Sequence, residues 1–117
     1  MLEKTLTIDG KQVKFRASAA ITRLYRMIFK RDIFKDMSKL EKSYGDKADS
    51  EDEFEIEDLE VFENVAYVMA RHADPSIPKN IDDWLDQFQM FSIYEVLPEI
   101  LELWGSNLFA EAKARKN

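Results

Sequence analysis

Apolar and polar residues alternate at the front of the chain. Leu6 and Ile8, then Val13 and Phe15, fall on one side of two short runs, with Asp9-Gly10 between them. A period of two marks a half-buried strand, and Asp-Gly between two such runs marks a tight hairpin, because its turn needs positive φ at the centre. The pattern predicts a β-hairpin over residues 1–16. One of its faces must pack on helices, since a lone hairpin is marginal in water. After Ser18, placed as an N-cap, the period changes. Ile21, Leu24, Tyr25, Ile28 and Phe29 recur at helical spacing, with Arg23, Arg26 and Lys30 on the opposite face. Ile33, Met37, Leu40 and Tyr44 then define a second helix, capped by Asp32 and ending at Gly45.

Residues 45–57 read as an acidic loop whose large apolar groups are Phe54 and Ile56. Leu59, Phe62, Ala66, Met69 and Ala73 mark a third helix. Val61, Val65 and Val68 widen its apolar face, so it is expected to be the most buried helix. Pro75 and Pro78 end it. Asn80 is placed to cap a short helix carrying Ile81, Trp84, Leu85 and Phe88, and Ser92 with Glu95 fits a capping box for the last helix. There Ile93, Leu97, Ile100, Leu101 and Trp104 face inward; Pro98 either kinks the helix or stands at the first position of a new one. The expectation is a single domain over residues 1–117: hairpin 1–16, helices 18–44, acidic loop 45–57, helices 58–105, tail 106–117. The fold class is mainly α, an N-terminal β-hairpin packed on a compact bundle of about five helices.

Composition adds limits. Apolar residues make up 45% of the chain and charged residues 34%, which supports a packed core under a solvated surface. There is no Cys, so disulfides and thiolate metal sites are excluded. No secretory leader or membrane span is expected, because Glu3, Lys4 and Asp9 interrupt the front and Glu95, Glu99 and Glu102 interrupt the apolar run near the end. The net charge of −6 disfavours nucleic-acid binding. That charge is unevenly placed. Residues 11–42 hold ten Lys or Arg against three acids, and residues 46–63 hold ten acids against Lys47. A basic front and an acidic middle could drive head-to-tail self-association.

Groups able to catalyse are sparse. His72 is the single histidine and sits at a helix end, where a cation suits the helix dipole. The serines lack a Gly-x-Ser-x-Gly elbow, and no glycine-rich phosphate loop occurs. The acidic stretch lacks the spacing and central Gly of an EF-hand loop and reads as a solvated charge run. The chain is therefore expected to bind proteins, not to act as an enzyme, and to need no metal or cofactor. Candidate partner-binding residues are Arg23, Arg26 and Lys30 on the basic helix face, Phe54 and Ile56 in the acidic stretch, and Tyr67. Tyr67 falls on the polar side of the third helix with Glu60, Glu63, Asn64 and Arg71, as an exposed contact residue would.

Several blocks carry a resemblance. The run from Lys14 to Arg26 (KFRASAAITRLYR), the run from Arg31 to Met37 (RDIFKDM), Glu57 to Ala70 (EDLEVFENVAYVMA), and Asp83 to Phe88 with Phe91 to Gly105 are similar to the tail assembly chaperones of long-tailed phages and prophages of Gram-positive bacteria. The resemblance implies a protein that binds the tape measure protein, keeps it soluble, and recruits tail tube protein subunits that later displace it. It implies work in the host bacterial cytoplasm, absence from the mature virion, and a possible homo-oligomer along the client, without nucleic-acid or membrane partners. In that family a frameshift lengthens some copies, and the ending Ala-Lys-Ala-Arg-Lys-Asn resembles the short product. The alternative is a small acidic regulatory or inhibitory adaptor that binds a host protein.

Overall fold

A computed structural model describes residues 2–47, 56–90 and 92–105, with side chains described for 3–42, 58–90 and 92–105. The fold is mainly α with an N-terminal hairpin. Strands β1 (Leu2–Ile8) and β2 (Lys11–Ala17) pair antiparallel, with Ile8 opposite Lys11. Asp9 and Gly10 close the turn with φ of 54° and 76°, the two positive angles a type I′ turn requires. Ile8, Phe15 and Ala17 are buried and Leu6 and Val13 half-buried, so the alternating face is the inward one.

Helix α1 (Ala20–Phe29) follows Ala19, whose backbone is itself helical, and the Ser18 hydroxyl accepts from the Ala20 N–H at 3.3 Å, the bond expected of a Ser18 cap. The helix ends at Lys30, whose φ of 58° lies in the left-handed region and whose N–H donates to the Arg26 carbonyl at 2.9 Å. Helix α2 (Ile33–Lys47) is capped as expected, the Asp32 carboxylate accepting from the Phe34 N–H at 2.9 Å. It runs past Gly45, and helix α3 (Ile56–Ala73) begins at Ile56, so both ends of the expected acidic loop are helical. The rest of that loop, including Phe54, and the tail 106–117 lie outside the described residues.

Helix α3 is the centre of the molecule. Strand β2, α1, α2 and the short α4 (Ile81–Leu85) all pack on it, and Phe62, Val65, Ala66, Val68 and Met69 are fully buried. Each large side chain enclosed in this way contributes about 1.5–3 kcal/mol. This overturns the expectation of an exposed Tyr67, which is 0% exposed. Its ring lies between Phe29 and Trp84, centroids 6.4 and 5.6 Å away, and its hydroxyl donates to the Pro78 carbonyl at 2.6 Å. On the side that reads as polar in sequence, Asn64 and Tyr67 are buried, while Glu60 stays exposed and Glu63 and Arg71 are half-buried.

Asn80 caps α4 as expected, accepting from the N–H groups of Asp82 and Asp83 at 2.7 and 3.4 Å. The capping box at Ser92 does not form. Residues Ser92–Val96 make a 3-10 turn, and the Ser92 hydroxyl donates to the Asp9 carboxylate at the hairpin tip. A new helix, α5 (residues 97–105), follows directly, with Pro98 in its first turn, where a missing N–H costs nothing. Among the described residues no helix is long and apolar enough to cross a membrane.

Candidate interaction surface

Three of the expected contact residues come together on α1. Arg23, Arg26 and Lys30 are exposed, and Met27 stands among them at 57% exposure. Positions 23, 26 and 27 are one outward stripe at helical spacing, with Lys30 following at the left-handed C-cap, while Ile21 and Tyr25 point into the core. Beyond the stripe, Phe34 at the start of α2 is 54% exposed, its inner edge resting on Trp104 of α5 at 5.5 Å between centroids. Arg26, Lys30, Arg31 and Phe34 line a cleft of about 450 Å³ at the α1–α2 junction. Ile56 contributes backbone to α3, but its side chain lies outside the described residues.

A buried cluster holds this junction. Asp36 accepts from the Tyr25 hydroxyl at 2.7 Å and from Arg31 Nε and Nη2 at 2.7 and 2.9 Å. The Arg31 hydrogen bonds, helped by Tyr25, hold the Asp36 carboxyl below its usual range against the opposing effect of burial. Burial first, then the Asp36 charge, pushes the Tyr25 hydroxyl up, while Asp36 holds the Arg31 guanidinium in its charged form. Arg31 is thus engaged by Asp36, while Arg23, Arg26 and Lys30 also face outward.

A second cleft, of about 460 Å³, adjoins the stripe. Half-buried Phe29, Leu59, Ile81 and Leu85 form its apolar lining, and Glu60, Glu63 and Asp82 add acidic groups. Glu63 accepts from the Tyr94 hydroxyl at 2.5 Å, and burial, reinforced by Glu63, pushes that hydroxyl up to about 12. A third cleft, of about 490 Å³, lies under the hairpin. Lys11 on its rim already donates to the Gln87 carbonyl at 2.9 Å and sits 5.7 Å from the Phe88 ring centroid.

His72 and Ser18 share a hydrogen bond of 2.7 Å between Nε2 and Oγ, tying the hairpin–α1 junction to the end of α3. A serine and a histidine work as nucleophile and base when a carboxylate favours the imidazolium. Here burial, and then the Arg16 charge, lower the His72 pKa and oppose that ion. Among the described residues no group of three His, Cys, Asp or Glu could hold a metal ion. The exposed Met27 and Phe34 thus stand among cations, and the adjoining cleft sets apolar side chains beside acids.

Met27, Phe34 and the Glu60–Asp82 cleft are absent from the residues singled out in the sequence, although part of the signal was there. Met27 is on the Arg23–Arg26–Lys30 stripe, and Phe34 is off the 33-37-40-44 face. No family model, curated protein or solved structure matches the chain.

Proposed function

We propose that the chain is an assembly chaperone for a long phage tail, binding the tape measure protein and keeping it soluble until tail tube subunits take its place. The observation that carries this reading is the outward placement of Met27 and Phe34 among Arg23, Arg26 and Lys30. A tape measure is a long helical chain with apolar stripes that aggregate when bare. Two apolar anchors framed by cations can cover such a stripe, favouring segments with acidic flanks, and still release it when a polymerising subunit competes. The block resemblance supports the same reading. On this reading the protein works in the host bacterial cytoplasm and is left out of the finished virion.

Co-expression with the neighbouring tape measure protein tests it. The chain should move that protein from the pellet to the supernatant, and Met27→Asp with Phe34→Asp should cancel the effect. A tape measure equally insoluble with and without the chain refutes the reading.

A further inference from the structure

We infer that two copies of this chain pair about a twofold axis, the cationic stripe of α1 in each copy seating in the acidic cleft between α3 and α4 of the other. The chemistry of the two surfaces is complementary. The stripe offers Arg23, Arg26 and Lys30 around Met27, whereas the cleft offers Glu60 and Asp82 beside an apolar lining of Phe29, Leu59, Ile81 and Leu85. Opposite charge steers such surfaces together, and burial of the apolar anchors holds them.

Their placement selects the symmetry. Phe29 belongs to the cleft and Lys30, the next residue, to the stripe. The Glu60 charge also reaches Arg31, which lies just past the C-terminal end of α1. A knob and a socket of opposite sign that adjoin on one face are self-complementary under a twofold rotation, which closes after two copies. Had they lain on opposite faces, the same chemistry would have built a filament. A stable pair needs roughly 800 Å² from each partner, about a tenth of the 7730 Å² surface of this chain. Pairing would cover the stripe offered above to the client, but it does not rest on the chaperone reading.

Charge reversal in separate copies is the test, read by sedimentation across a concentration series. The wild type should form a reversible dimer at low salt and shift toward monomer at high salt, because exposed charges are screened. R23E/R26E/K30E and E60K/D82K should each be monomeric alone. Mixed in equal amounts they should form a heterodimer, since the reversed stripe then meets the reversed cleft while the other contact stays native. A monomeric wild type at low salt, a reversed variant that still pairs alone, a mixture that stays monomeric, or species that keep growing with concentration would each overturn the inference. Circular dichroism checks folding. Should a multiple variant fail to fold, M27D changes one exposed side chain and must itself abolish pairing; unchanged pairing in M27D overturns the inference as well. None of these measurements involves a client, so they stand apart from the solubility assay.

Discussion

The Tyr25–Asp36–Arg31 cluster gives the sharpest stability prediction. Asp36 is 6% exposed and accepts from the Tyr25 hydroxyl and from two Arg31 nitrogens. Asp36→Ala removes the acceptor and leaves the fully buried Tyr25 hydroxyl without its carboxylate. A buried hydroxyl that loses its partner costs about 1–3 kcal/mol. Arg31 suffers less, because its side chain is 56% exposed and water replaces the carboxylate; that loss is worth about 1 kcal/mol or less. Together the expected loss is about 1–4 kcal/mol, out of the roughly 5–15 kcal/mol that holds a domain folded. Adding Tyr25→Phe to Asp36→Ala removes the hydroxyl that lost its carboxylate, leaving only its hydrogen bond with Asn64 still to be broken, so the double variant should lose clearly less than the sum of the two single losses. Urea titration followed by circular dichroism measures both, as a lower midpoint at unchanged slope. The wild type also carries a pH signature. The folded Asp36 pKa is depressed chiefly by Arg31, so its stabilisation is full above the unfolded carboxyl value and disappears as pH falls through the folded one. Asp36→Ala should flatten the acid side of the curve. A loss under about 1 kcal/mol, or additive losses in the double variant, would refute the assignment of the junction's stability to this cluster.

Two further outcomes follow from other hydrogen bonds. Asn80→Ala should lower stability by about 1 kcal/mol by uncapping α4, read from the urea midpoint with Trp84 fluorescence as a local probe. His72 has a folded pKa below the ordinary 6.5, set first by burial and then by Arg16, so the unfolded chain binds more protons near that pH. Stability should therefore fall as pH drops from neutral through 6.5 toward the folded value, and then level off. His72→Gln should remove that slope between neutral and mildly acidic pH, and an unchanged slope would refute the assignment.

What the sequence discloses follows the range of the interactions. The hairpin is legible because its turn chemistry is local: Asp9 and Gly10 tolerate the positive φ the turn demands. The Asp32 and Asn80 caps are local too, each reaching only two or three residues along the chain. Tyr67 was misplaced because a helical wheel assigns sides by residue type, without knowing which elements arrive later. Helix α3 is covered from several directions, and its Tyr finds an acceptor at Pro78, while Asn64 is only 8% exposed. Ser92 does not form the capping box for a similar reason: Asp9, 83 residues away, accepts its hydroxyl's hydrogen bond. On the interaction surface, the three cations were visible from spacing. The acidic cleft was not, because α1, α3 and α4 build it jointly.

The hairpin tip has a consequence for synthesis. Asp9 is held by the Gln89 N–H and the Ser92 hydroxyl, 80 and 83 residues further on, and Lys4 is held by Glu99, 95 residues further on. A ribosome adds roughly 5–20 residues per second, so the strands wait about 4–16 s after emerging before the tip can be anchored. During that interval Phe15 and Ala17 face an α3 that has itself only just been made. The element whose shape is most firmly written in its own residues is thus among the last to be secured in the nascent chain.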